Sequence, residues 1–214
     1  MSGDHTAILG LLRAAGPAEW AQATILGDVL LASAHAARPG RLDGRMMLLT
    51  ADPRVPEPRL RSVDVREVVA ADAVAARIDG GIPSVSAGLE FCLPEPGEWV
   101  DVEWIEVDRY RVRTRSRRTQ VRRRVRVMRH RYRAASGLDV ELRDVDVVCL
   151  ATRLPLGTSG SVVRRAEGGA VVGLVHGSAA ANEGATVCLD PRSLNEVVAQ
   201  LGRPLATPAC GGPE

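Results

Sequence analysis

Lysine is absent from these 214 residues: all 28 basic residues are arginine. With no Gly-Lys anywhere, a Walker A phosphate loop is excluded. Aromatics are scarce as well, with three Trp, two Tyr and one Phe. A core must therefore be built from Val, Leu, Ala and Ile. No apolar run approaches 18 uninterrupted residues, which excludes a membrane-spanning helix. The start, MSGDHTAILGLLRAAG, has Asp4 where a secretory signal wants positive charge, and its short apolar run is broken by Gly10. A cytoplasmic location is expected. The four cysteines, Cys92, Cys149, Cys188 and Cys210, are widely spread with no CxxC pair. That argues against a disulfide framework or a zinc site and fits free thiols.

What is present is a globular composition, 45% hydrophobic, at a length that fits one large domain or two small ones. The net charge of +2 conceals an asymmetry. Residues 109–133, RYRVRTRSRRTQVRRRVRVMRHRYR, hold 13 of the 28 arginines and no acid, while the remainder sets 15 arginines against 26 acids. The plainest account is two edge strands with solvated arginine faces, since charge discourages edge-to-edge association. Thirteen like charges nevertheless repel one another unless acids answer them. An acidic partner, an acidic substrate or nucleic acid would answer them from outside. For single-stranded nucleic acid the run offers only Tyr110 and Tyr132 for stacking, which argues against it.

Short strands dominate the pattern. WAQATILGDVLLASA (20–34) predicts strand, Gly27-Asp28 turn, strand. Apolar runs follow at 45–50 and 66–78, and Pro and Gly mark loops at 51–58 and 80–97. Segments 97–114 and 138–152 alternate apolar and charged residues, as half-buried strands do. One helix is clear at the end of the chain. Asp190 is its N-cap and Pro191 its first residue, Leu194, Val197, Val198 and Leu201 form one face, and Gly202 is a stop.

LPLGTSGSVV (154–163) sets Ser159 on a glycine-bounded turn before an apolar strand. Gly157 and Gly160 permit close approach of backbone N–H groups, the material of an oxyanion hole. By itself the pentapeptide is also an ordinary polar turn, and Ser161 breaks the G-x-S-x-G elbow. A serine nucleophile needs a base and the base needs an orienting acid. There are four histidines: His5 near the start, His130 inside the arginine run, His176 after an apolar strand, and His35 in VLLASAHAA. Asp72 lies in the otherwise apolar AADAVAARI, where an acid needs hydrogen bonds to be tolerated. Asp64 and Asp79 sit in more polar surroundings, as surface acids do.

Taken in order, ILGDVLLASAHAA, ADAVAARID and LPLGTSGSVV…GGAVVGLVHG resemble the trypsin/chymotrypsin-like serine peptidase family over roughly residues 15–202. In that family the order is histidine, aspartate, serine. The resemblance implies an all-β fold of two packed antiparallel six-stranded β-barrels with a C-terminal α-helix. It implies an N-terminal barrel half over 1–85 carrying His35 and Asp72, a C-terminal half over 86–202 carrying Ser159 and the terminal helix, and a flexible tail over 203–214. The implied activity is a serine endopeptidase acting on a protein or peptide substrate, with neither metal nor cofactor. His35, Asp72 and Ser159 would be catalytic, and the N–H groups of Gly157 and Ser159 would form the oxyanion hole. Arg153, Leu154, Leu156 and His176 would border the substrate pocket.

The chain departs from the family pattern in several places. Thr158 replaces the aspartate that pairs with a newly cut N-terminus, so activation by N-terminal cleavage is not expected. Ala36 stands where a cysteine often follows the histidine. Arg153 stands where trypsin-type members hold an acid, which argues against cleavage after Arg or Lys. His176 falls one position later than the histidine of glutamate-specific relatives, and a pocket-wall or core role is expected. An acidic partner or regulatory domain docking on Arg109–Arg133 is a further expectation. Two other classes are open: a catalytically silent protease-like binding module, and an arginine-rich barrel binding acidic protein or nucleic acid.

Overall fold

The Gly27-Asp28 turn joins β2 (Trp20–Leu26) to β3 (Val29–Ser33) as the sequence predicts, with Gly27 at φ +64°. The structure is a computed structural model that describes residues 8–13, 20–37, 46–49, 59–60, 62–78, 93–108, 111–133, 138–178 and 186–201. Around this hairpin stand β1 (Ile8–Arg13), β4 (Met46–Leu49), β5 (Arg59–Leu60), β6 (Ser62–Val68) and β7 (Ala73–Ile78). Together they form a seven-stranded sheet in the order β5-β4-β1-β2-β3-β7-β6. A four-residue helix, α1 (Ala34–Ala37), follows β3, and a 3₁₀ turn (Val69–Ala71) joins β6 to β7.

The remaining strands are β8 (Trp99–Asp108), β9 (Arg111–Arg133), β10 (Asp139–Leu150), β11 (Val162–Arg165), β12 (Val171–Ser178) and β13 (Thr186–Leu189). They close into a six-stranded barrel in the order β10-β13-β12-β11-β8-β9. The molecule is thus mostly β and built on two sheets. The second half has the six-stranded closed form that the resemblance implies, whereas the first is a seven-stranded sheet. Residue 86, the expected boundary, lies outside the described residues, as do His5, Asp79, Cys92 and Cys210.

Alternation along each strand builds the cores. On β10, Val148 and Leu150 point into the barrel with Val100, Val102, Val163 and Val172. Val147 and Cys149, on the opposite face, join a second core with Leu26, Val29 and Leu31 of the first sheet. That shared core fuses the two halves. The terminal helix α2 (Pro191–Ala199) contributes Leu194, Val197 and Val198 to it. Asp190 caps α2 as predicted, its carboxylate accepting from the N–H groups of Arg192 (2.9 Å) and Ser193 (3.0 Å). The helix ends at Ala199, before Gly202, which lies outside the described residues. Arg77 of β7 donates to the Leu201 carbonyl (3.2 Å) and pairs with Asp28 (2.6 Å), tying the helix end to the first sheet.

The arginine run is not two edge strands. It is one 23-residue strand, β9, whose residues 111–120 pair with β8 and whose residues 121–133 pair with β10. The physical reason is legible afterwards: 111–133 contains no Gly, Pro, Asn or Asp to break it. Acids on the flanking strands answer the arginines across the ladder. Arg118 holds Asp101 through two 3.0 Å bonds, and Arg115 holds Glu106 at 2.6 Å. Arg126 bridges Asp144 (2.9 Å) and Asp146 (3.0 Å). Glu141 accepts from Arg143 (2.5 Å), Arg131 (2.9 Å) and Arg129, and these guanidiniums, Arg143 foremost, lower its pKa to about 2.

Candidate active site

Strand register brings His35 to Asp72. Ser33 at the end of β3 pairs with Ala73 at the start of β7. His35 lies two residues past the one and Asp72 one residue before the other, so both project beyond the same end of the β3–β7 pair. The contact is then fixed by three hydrogen bonds. The Ala34 N–H donates to the Asp72 carbonyl (2.8 Å), the His35 N–H donates to Asp72 Oδ1 (3.0 Å), and His35 Nδ1 bonds Asp72 Oδ2. Asp72 holds a left-handed backbone conformation, φ 45° and ψ 46°, at the end of the 3₁₀ turn. Asp tolerates that region better than most residues, and the three bonds over-determine it. The side chains of His35 and Asp72 are only 9% and 11% exposed, so the pair works largely away from water, where hydrogen bonds to a charged group are strongest.

Ser159 lies half-buried on the turn before β11. Gly160 anchors that turn. Its N–H donates to the Val175 carbonyl (2.7 Å), and its own carbonyl accepts from Thr24 Oγ1 (3.0 Å). With φ +96°, and with a Cβ that would sit 2.0 Å from the Gln22 carbonyl oxygen, this position requires glycine. The Val175 carbonyl also accepts from Ser33 Oγ (3.2 Å). One carbonyl on β12 therefore holds both the residue after Ser159 and the residue two before His35. Thr158 is buried, its hydroxyl donating to the Pro155 carbonyl (2.9 Å), and the Ser161 N–H closes the turn on the Thr158 carbonyl (3.0 Å). Gly157 is exposed at φ +87°. Among the described residues, neither the Gly157 N–H nor the Ser159 N–H has a hydrogen-bond partner.

Gln22 completes the junction between the halves. Its side-chain amide donates to the Ile105 carbonyl (2.7 Å) and accepts from the Ile105 N–H (3.0 Å), occupying the backbone edge of β8. Gln22, Thr24 and Ser33 are all buried polar residues within apolar strands. In WAQATILGDVLLAS they are the polar residues outside the Gly27-Asp28 turn, and a buried polar side chain needs a partner. That signal could have marked them.

The expected pocket residues separate. Arg153 and Leu156 are exposed, Leu156 at 77%. Leu154 is instead a core residue of the barrel, buried with Val163, Val172 and Val175, and its N–H donates to Thr186 Oγ1 (2.9 Å). His176 is 2% exposed and lies against Asp72, with Nδ1 3.4 Å from Asp72 Oδ2. Its Nε2 bonds the Tyr132 hydroxyl at 2.8 Å. A bulge between Val175 and Gly177 produces this aim, because His176 is the extra residue in the β12–β13 ladder. Burial pushes His176 down to about 4 and pushes the Tyr132 hydroxyl up. Sequence reasoning missed Tyr132, which it weighed only as a stacking residue within the arginine run.

His35, Asp72 and His176 are the one group among the described residues close enough to hold a metal ion. The direct bond between His35 and Asp72 already engages atoms an ion would need, and His176 Nδ1 lies 3.4 Å from the same carboxylate without a hydrogen bond to it. Cys149 and Cys188 are buried free thiols, packed on opposite faces of the barrel wall. No helix among the described residues is long and apolar enough to cross a membrane.

No family model and no curated protein matches the chain. Solved structures do. The active form of the Rv3671c protease from M. tuberculosis superposes with a TM-score of 0.68 at 15% identity, covering 97% of this chain and 87% of that one. The MamO protease domain from Magnetospirillum magneticum gives 0.60 at 12% identity, covering 92% and 97%. The HtrA-type protease AlgW, solved with a decapeptide, gives 0.61 at 11% identity, covering 94% of this chain and 66% of that one. The chain therefore has the trypsin/chymotrypsin-like serine protease fold.

Proposed function

We propose that this chain is an intracellular serine endopeptidase working through Ser159, His35 and Asp72. The observation that carries the reading is the double hydrogen bond of Asp72 to His35, tied to the Ser159 turn through the Val175 carbonyl. Ser159 Oγ attacks the scissile carbonyl carbon as its proton passes to His35. The oxyanion is received by the N–H groups of Gly157 and Ser159. The tetrahedral intermediate collapses to an acyl-enzyme as protonated His35 returns the proton to the leaving amine. Water, activated by His35, then releases the acid. Asp72 holds the ring and stabilises the imidazolium. The buried free thiols Cys149 and Cys188 support a reducing compartment. The halves would divide near residue 85. The first sheet would complete the two-barrel form through its outer strands β5 and β6, which are one residue apart in the chain.

Exposed Arg153 and Leu156, on the approach to the turn, disfavour Arg or Lys before the scissile bond and favour an acidic or apolar residue. The β9–β10 ribbon is a candidate docking surface for an acidic segment of substrate or partner, because three arginines share the single carboxylate of Glu141. A fluorophosphonate probe tests the central claim. Covalent labelling of the wild type that vanishes in Ser159→Ala is expected. Equal labelling of both proteins, or of neither, refutes an assembled nucleophile and favours a silent binding module.

A further inference from the structure

Tyr132, His176, Asp72 and His35 form a chain of polar contacts, with the His130 ring stacked on Tyr132. Three of its members come from different parts of the fold: Tyr132 from β9, His176 from the bulge in β12, and Asp72 from the turn before β7. Among the described residues His176 Nδ1 has no hydrogen-bond partner, and it faces Asp72 Oδ2 at 3.4 Å. A buried polar atom left in that state is unfavourable unless it serves the group it faces.

We infer that His176, oriented by the Tyr132 hydroxyl, is a positioning residue for Asp72, presenting an imidazole N–H to the carboxylate alongside that of His35. The inference rests on the peptidase reading above. The tautomer follows from the neighbours. If the Tyr132 hydroxyl donates to Nε2, the proton of neutral His176 sits on Nδ1 and faces Asp72. If Nε2 donates instead, the Nδ1 lone pair faces a carboxylate in a buried site, which is repulsive. The first arrangement aims the Nδ1 proton at the carboxylate it faces, 3.4 Å away. The groups around His176 are Asp72, His35, His130 and Tyr132, and burial outweighs the pull of Asp72 to keep the ring neutral. The His35 and His176 rings are nearly perpendicular, with centroids 5.4 Å apart, so the two imidazoles approach the carboxylate from different directions.

The consequence for catalysis is directional. Asp72 accepts the His35 N–H on Oδ1 and faces both imidazoles through Oδ2, which fixes its rotamer. Charge drawn from Oδ2 by His176 makes imidazolium formation on His35 less favourable than an undivided carboxylate would. Loss of the His176 N–H should therefore move the acid limb of the pH–rate profile to higher pH.

The test begins on the resting protein. Nitrogen-15 NMR of the His176 ring should show a protonated Nδ1 and a bare Nε2. In Tyr132→Phe that preference should be lost, and the low-field proton of His35 Nδ1 should shift. With a short neutral peptide, Tyr132→Phe should lower kcat about tenfold with KM within about twofold, and move the acid limb upward by about half a pH unit. His176→Asn, whose amide can stand in for Nδ1, should stay close to wild type, and His176→Leu should behave like Tyr132→Phe or worse. A bare Nδ1 in the wild type overturns the inference, as does an acid limb unmoved in both Tyr132→Phe and His176→Leu. A wild type that turns over no peptide refutes the peptidase reading, and the NMR arm then decides the positioning claim alone.

Discussion

Two regions of this protein are rich in charge, and they use it in opposite ways. At the end of the β3–β7 pair, one carboxylate and two imidazoles sit almost out of water, each in a single geometry set by named hydrogen bonds. Along β9, arginines meet Asp101, Glu106, Glu141, Asp144 and Asp146 at the surface, in pairs that solvent screens. Exposed ion pairs contribute little each, whereas a buried charged group that loses a partner is strongly destabilised. The few buried charges should thus be individually decisive and the many exposed ones individually replaceable. The three predictions that follow separate the regions on that basis.

The largest effect belongs to the buried site. Ser159→Ala, His35→Ala and Asp72→Asn should each reduce peptide turnover on the order of 10⁴-fold, with losses that do not add when combined. Circular dichroism should show the fold intact in all three. If Asp72→Asn retained near-wild-type turnover, the acid of the triad would have to be sought elsewhere, and Asp64→Asn is the comparison that would find it.

The next effect is on stability, and its pH window distinguishes the regions. His176 is held down to about 4 in the folded protein by burial, against about 6.5 for an unperturbed imidazole. Between those values the unfolded chain binds a proton that the folded protein does not, so stability falls as pH drops through this window. The full loss is about 3 kcal/mol, complete near pH 4. Glu141 has the opposite origin. Its pKa is lowered to about 2 by its arginines, so its contribution is present above the ordinary carboxylate range and disappears only as pH falls toward 2. Urea midpoints at pH 7 and pH 4 should therefore converge in His176→Asn relative to wild type, while Glu141→Gln should change that difference only slightly, because most of the Glu141 contribution is still present at pH 4. An identical pH 7 to pH 4 drop in wild type and His176→Asn would show that the buried imidazole is not what the acid side of the stability curve reports.

This contrast also explains which features were legible in the sequence. His35 was singled out through the family resemblance, and Asp72 and Ser159 because an acid inside the apolar part of AADAVAARID and a hydroxyl on a glycine-bounded turn stand out locally. Asp190-Pro191 announced the helix for the same reason. The β9 strand was misjudged because arginine density says nothing about pairing. Its partners Asp101 and Asp146 become recognisable only once register places them opposite Arg118 and Arg126. Leu154 looked like a pocket residue because it stands close to Ser159 in sequence, but the side chain turns into the barrel. His176 and Tyr132 meet across 44 residues, and the bulge that aims His176 leaves no mark on GGAVVGLVHG. Long-range polar contacts that depend on a register shift are the part of such a fold that a single sequence hides.

The smallest effect concerns the ribbon and should appear only with the right substrate. Arg129, Arg131 and Arg143 converge on Glu141, which leaves this end of the β9–β10 ribbon positive. Tyr132, whose hydroxyl reaches His176, lies between Arg131 and Arg133 on β9, with its side chain on the opposite face of the strand from theirs. A cavity of about 490 Å³ is nevertheless lined by Tyr132 together with Arg131, Arg133, Asp139, Val140 and Glu141. An acidic segment of substrate would be steered toward it over a range set by the Debye length, about 8 Å at physiological ionic strength. Replacing Arg129 and Arg131 with Gln should lower kcat/KM for an acidic peptide roughly fivefold at low salt, through association rate, and flatten its salt dependence. A neutral peptide of the same length should be cleaved at the wild-type rate, because both arginines are exposed and neither touches the Tyr132–His176 bond. If the two peptides lost activity together, the ribbon would be acting through the assembly of the site. If neither changed, the arginines would serve only to pair the acids on their own sheet.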